Sequence, residues 1–150
     1  MPPGYIKSSG HLVFDVKMDF TQKAYWVKNG HCTPDLDTSA YAGVVSRDIV
    51  RIALTYAALN EINVLVADIR NAYLQAPSSE KHYIICGPEF GHEHQGKRAI
   101  IIHALYSGKA AGRDFWHHLW DCMNHLGFES CLSDPDVWRR AYTRPNGEEI

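Results

Sequence analysis

Leu12, Phe14, Val16, Met18 and Phe20 alternate with Val13, Asp15, Lys17 and Asp19, the period-two pattern of a strand with one buried face. Lys23 to Lys28 continue in the same way. Asn29-Gly30 follows, a pair that tolerates positive φ, so a hairpin turn is expected there. Pro34 to Ser39 reads as a polar loop. Ser46 stands ahead of Ile49, Ile52, Ala53, Tyr56 and Ala57, an apolar stripe at helical spacing. The sequence therefore predicts a helix capped by Ser46 and stopped by Asn60. Ile62 to Ile69 is a short apolar run expected as a buried central strand, with Asp68 at its end and the carboxylate facing an open cleft. Ala76-Pro77-Ser78-Ser79 breaks the chain. Tyr83 to Cys86 predicts a short strand ended by Gly87-Pro88, and Ala99 to Leu105 a further buried one after the loop Gly91 to Lys97. Phe115, Leu119, Cys122, Met123 and Leu126 mark a second amphipathic helix closed by Gly127. Val137 to Thr143 predicts a last strand, and Pro145-Asn146-Gly147 a turn whose returning strand barely begins. This order of elements indicates an α+β domain.

Composition narrows the classes. The 150 residues suit one domain, and 45% hydrophobic with 21% charged residues is ordinary globular protein. A net charge of −2 gives no whole-domain basic footprint for nucleic acid, although a cleft can be locally basic on such a chain. No run approaches the ~18 apolar residues of a membrane helix, and no secretory leader is visible. Cys32, Cys86, Cys122 and Cys131 form no C-x-x-C pair, so reduced thiols and an intracellular setting are expected. No P-loop, G-x-S-x-G or G-x-G-x-x-G occurs, which removes support for nucleotide hydrolysis, esterase and dinucleotide chemistry.

A carboxylate at the end of an apolar run is costly unless something pairs with it, and a metal ion is a common partner. Asp68-x4-Tyr73 is followed by Leu105-Tyr106-x-Gly108-Lys109 with Arg113-x2-Trp116, and then by Gly127-Phe128-x-Ser130-x3-Asp134. In that order the set resembles the polymerase core of copia-type LTR retrotransposon reverse transcriptases. Their motifs run D-V-K-T-A-F-L, L-Y-G-L-K-Q-A-P-R-x-W-Y, G-F-x-x-S-x-x-D and Y-V-D-D. The first three have counterparts between Leu12 and Ile150; the fourth has none, and no two aspartates are adjacent.

The resemblance implies the fingers and partial palm of a right-hand polymerase. Residues 11–60 would be fingers-like, and 61–150 the start of the palm with a fingers insertion. It also implies an RNA-directed DNA polymerase that adds nucleotides by two-metal catalysis, with Mg²⁺, dNTP and an RNA or DNA template–primer as its ligands. Such an enzyme works in the cytoplasm, a virus-like particle or the nucleus, and not in a membrane. Asp68 resembles the first metal-binding aspartate, with the carbonyl of Ile69 facing the same ions; an isolated aspartate in such a place more often merely ends a strand or caps the next turn. Tyr73 matches the aromatic under the incoming sugar that leaves no room for a 2′-hydroxyl, or is an ordinary buried tyrosine. Asn71 and Ala72 occupy the turn whose amides meet the triphosphate. Lys23, in a segment that resembles the K-A-R-L-V finger strand, would hold the triphosphate or lie in solvent. Tyr106 and Lys109 would stand beside the nucleotide cleft and template.

Departures from the pattern include Tyr25, which replaces an arginine that could make a bidentate phosphate contact, Ser107, which replaces a glycine, and Gly112, which replaces a proline. The resemblance also implies a chain cut before the Y-x-D-D motif and therefore inactive alone, which leaves open a non-catalytic remnant that binds nucleic acid or protein. A third reading places a transition metal on His117, Asp121 and His125, or on His118, Cys122 and His125. A polar helix face explains the same spacing. Oligomeric state stays open.

Overall fold

In the computed structural model, which describes residues 3–36, 39–40, 42–143 and 147, the chain forms two compact units of mixed α and β structure. One is Met1–Tyr41 with Asn71–His118; the other is Ala42–Arg70 with Leu119–Ile150. The turn expected at Pro145-Asn146 lies outside the described residues.

The first unit is built on a hairpin. Strand β2 (Gly10–Val16) pairs antiparallel with β3 (Gln22–Lys28), in register from Gly10↔Lys28 to Val16↔Gln22. The turn lies between them, not at Asn29-Gly30. Phe20 takes φ 63° there, the Lys17 amide donates to the Thr21 carbonyl at 3.0 Å, and the Thr21 amide donates to the Asp19 carboxylate at 3.0 Å. The hydrogen bonds from Thr21 hold the Asp19 carboxyl below its ordinary value. Asn29 instead leads into a 3-10 turn, Gly30–Cys32. Glycine is required at 30 because a Cβ would overlap the Ser107 carbonyl.

The alternation in β2 is real, but the face it was expected to bury is uncovered. Phe14 is 74% exposed, Val16 60% and Phe20 87%. Alternation separates two faces without fixing which one is packed, and here the covered end is the base of the hairpin, at Val27 and Lys28.

Beside the hairpin lies a three-stranded sheet. Strand β1 (Ile6–Lys7) runs parallel to β4 (His82–Ile85), which pairs antiparallel with β5 (Arg98–Ile100). The long strand expected over Ala99 to Leu105 shortens to β5 and a bridge from His103 to Pro77. The core gathers Ala76, Ala104 and Ala111, with Tyr73 and Phe115 packed against it. Among the described residues no large side chain is fully buried.

Charges tie these pieces together. Lys28, 2% exposed, places its ammonium 2.8 Å from Glu80 Oε1 and 2.6 Å from His82 Nδ1. Its own amide donates to the Tyr106 carbonyl at 3.1 Å. Buried charges persist only when paired and hydrogen-bonded, so β3, the loop before β4, β4 itself and the 105–108 turn are fixed at one point. A second buried charge, Asp114 on helix α3 (Ala111–His125), accepts from the Ser79 amide at 2.8 Å and the Ser79 hydroxyl at 2.7 Å. Arg113 donates to the same hydroxyl at 2.6 Å. In the turn that receives Lys28, Ser107 holds φ 63°, and the Gly108 amide closes it by donating to the Leu105 carbonyl at 2.9 Å. A side chain at positive φ is strained where glycine is not.

The second unit carries α1 (Arg47–Leu59), where Ser46 accepts from the Ile49 amide at 3.2 Å as expected of an N-cap. Asn60 is the C-cap; Glu61 follows at φ 55°, and the Ile62 amide reaches back to the Ala57 carbonyl. Of the expected stripe, Ala57 alone is buried; Ile52 and Tyr56 lie exposed.

The central strand expected over Ile62 to Ile69 does not form. The segment belongs to no ladder and all of it is exposed, with Leu65 at 92%. A wholly apolar strand exists only where neighbours pair both edges and layers cover both faces, and among the described residues nothing does so here. The far end of α3 closes as the sequence predicts: Gly127 takes φ 79°, and the Phe128 amide reaches the Met123 carbonyl. The last strand reduces to β7 (Trp138–Arg139), paired with β6 (Glu129–Ser130) and held by a Trp120–Trp138 edge contact at 4.7 Å.

Two measurements test this account of the first unit. Burial first, then the Lys28 charge, hold His82 below its ordinary 6.5, with Glu80 pulling the other way. The unfolded chain therefore takes up the proton first, so this stability is complete above about pH 6.5 and falls as pH drops toward the folded value. Thermal midpoints should decline on acidification more steeply in the wild type than in His82→Gln, whose amide oxygen still accepts from Lys28. Equal slopes would remove His82 from the linkage. Ser107→Gly should relieve the left-handed strain and stabilise the chain by about 1 kcal/mol, a rise of roughly 2–4 °C in Tm. A lower Tm would contradict the assigned turn.

Candidate functional site

In β3, Lys23 and Tyr25 are two residues apart and so share a face of the hairpin. The Lys23 ammonium lies 4.7 Å from the centre of the Tyr25 ring, within cation–π range. Tyr25 packs on Tyr106 of the 105–108 turn at 5.6 Å and 58°. Tyr106 meets Tyr73 of α2 (Ala72–Gln75) edge to face at 5.3 Å and 73°, and Tyr73 meets Phe115 of α3 at 6.1 Å and 85°. Tilted and edge-on contacts of this kind match the ring quadrupoles. Four rings and one cation thus form a continuous path in the first unit, all of the rings half-buried. It joins three of the residues singled out in the sequence: Lys23, Tyr73 and Tyr106.

The others stand elsewhere or in different employment. Lys109 is committed to the loop after the 3-10 turn: its ammonium donates to the Thr33 carbonyl at 2.8 Å and to Asp35 Oδ1 at 2.8 Å. That hydrogen bond and the Lys109 charge hold the Asp35 carboxyl low. Asn71 takes the left-handed conformation, φ 52° and ψ 45°, and opens α2, with Ala72 as the first helical residue. One turn sums few peptide dipoles, so the amides at Asn71 and Ala72 gain little anion affinity from a helix. Asp68 and Ile69 belong to the second unit, exposed and outside any strand or helix.

Mg²⁺ asks for a few hard oxygen ligands in octahedral array. Among the described residues no three His, Cys, Asp or Glu side chains gather as a metal site. Asp68 and the Ile69 carbonyl are therefore one carboxylate and one carbonyl. The donor set for two magnesium ions is not assembled by this chain's described residues, nor are the helical histidines drawn into a transition-metal site.

In the sequence Tyr25 stands out only as a lost arginine and Phe115 only as an apolar stripe residue. The i, i+2 spacing of Lys23 and Tyr25 was the available signal for the first; nothing in the sequence marks Phe115 as the partner of Tyr73. Lys28, Glu80, His82 and Asp114, the buried polar groups that hold the site's supports, were also missed, because their partners lie far off along the chain. Among the described residues no helix is long and apolar enough to cross a membrane. No protein-family profile, curated protein or solved structure matches this chain.

Proposed function

We propose that the chain is a portion of a copia-type reverse transcriptase and that its own part in RNA-directed DNA synthesis is to bind and select the incoming nucleotide. The observation that carries this reading is the meeting of Tyr73 and Tyr106 at 5.3 Å. They come from two separate motifs, and Lys23 is reached from them through Tyr25. On this reading the Lys23 ammonium takes up triphosphate charge. The ring of Tyr73 occupies the space a ribose 2′-hydroxyl would need, so rejection of ribonucleotides is steric. The template–primer is held through its backbone, and the setting is intracellular. When bound, Mg²⁺ supplies charge stabilisation to the attacking and leaving oxygens; Asp68 is the family's ligand for it, but among the described residues the donors do not complete the site.

That incompleteness favours a second reading, a polymerase-derived module that binds nucleotide or nucleic acid without catalysis. One pair of measurements tests both readings. Titration of the chain with dTTP, followed by NMR, should shift Lys23, Tyr73 and Tyr106, and should do so more strongly than UTP; Tyr73→Ala should erase the difference. No response at these residues would end both nucleotide readings. Primer extension on poly(rA)–oligo(dT) with Mg²⁺ or Mn²⁺ should give no product. Robust extension that disappears in Asp68→Asn would show that the chain catalyses the reaction by itself and would dismiss the non-catalytic module.

A further inference from the structure

The family pattern has an arginine where this chain has Tyr25, a change that on charge alone only weakens phosphate binding. The structure gives the ring something to do. By register Lys23 lies opposite Asp15, the partner it would be expected to choose. The Asp15 carboxylate instead accepts from the Val16 amide at 2.8 Å, and the Lys23 ammonium rests over Tyr25. Tyr25 is held in turn by Tyr106, whose carbonyl takes the Lys28 amide at 3.1 Å, so the ring is linked to the buried Lys28. From Tyr106 the contacts continue to Tyr73.

We propose that Tyr25 is a positioning residue for a nucleoside triphosphate: its face orders the Lys23 ammonium, and its edge, through Tyr106, fixes the orientation of Tyr73. The proposal rests on the nucleotide-binding reading above and goes beyond it by joining the phosphate-facing cation and the sugar-facing ring in one packed unit. A lysine on a flexible stem loses rotamer freedom when it binds. A lysine already resting on a ring loses less, and an ammonium over a π face still directs donors outward. The tyrosine thus returns by pre-ordering part of what the absent guanidinium would have given by charge.

The test uses the 150-residue chain, dTTP as ligand, and the variants Tyr25→Phe and Tyr25→Leu. In the wild type, NMR should show Lys23 side-chain protons displaced by the ring current and NOEs from Lys23 to Tyr25 and from Tyr25 to Tyr106. Tyr25→Phe should keep these signatures and the dTTP affinity. Tyr25→Leu should lose the displacement, shift the Tyr106 and Tyr73 ring resonances, and weaken dTTP about 2–5-fold. Lys23→Met should weaken dTTP while leaving Tyr106 and Tyr73 in place, because it removes the cation and not the ring. If Tyr25→Leu leaves Lys23 and Tyr73 undisturbed while the wild type binds dTTP, Tyr25 has no positioning role and the inference falls alone. Missing Lys23–Tyr25 NOEs in the wild type overturn it without any variant. Ring signatures present with no response to dTTP overturn the nucleotide reading and this inference with it.

Discussion

The ammonium of Lys28 is the constraint on which the first unit is arranged. A charge taken out of water needs close opposite charge and filled hydrogen bonds, or it will not stay buried. Glu80 and His82 meet that demand from the loop before β4 and from β4 itself. The residue's own amide binds the turn that carries Tyr106. Hairpin, sheet and turn therefore have one relative placement in which the charge is satisfied. Asp114 repeats the device, fastening α3 to the Ser78–Glu80 loop through Ser79. Hydrophobic burial is non-directional; these paired charges are directional, and they supply register around a small cluster of alanines and two half-buried rings.

What the sequence made legible is local. Ser46 and Gly127 announce helix ends because a cap is a contact between a residue and its own neighbours three or four positions away, and both sit where their chemistry puts them. The two strands of the hairpin are legible as well, since alternation needs no knowledge of the rest of the chain. Which face is covered is another matter. Leu12, Phe14 and Val16 satisfy the pattern of a buried face, yet lie in solvent, because burial depends on what is packed opposite. Ile62 to Ile69 failed for the same reason at the level of pairing: its apolar side chains suit a strand, but a strand is defined by its neighbours. Lys28 and His82 stand 54 positions apart, beyond any spacing argument.

For the site, the motifs indicated which residues to watch and the structure changed their roles. Tyr73 and Tyr106 come together, while Lys109 serves the Thr33–Asp35 loop. The departures at positions 25 and 107 acquire physical content of different kinds. At 107 a serine holds a conformation that glycine reaches without strain. At 25 an aromatic ring stands beside a lysine and joins it to the ring cluster.

The alanine core has a thermodynamic side. Ala76, Ala104 and Ala111 leave water with little apolar surface each, and among the described residues no large side chain goes in fully with them. The heat capacity released on unfolding follows apolar surface newly exposed to water. A fold that hid little to begin with has little to release. Its increment should fall short of the ~12–15 cal/mol/K per residue of ordinary globular domains, and its curve of free energy against temperature should be correspondingly flat. Denaturant should act with a shallow slope for the same reason. In this chain, then, small-residue packing shapes the response to heat and denaturant, while the buried charges decide the arrangement that is lost.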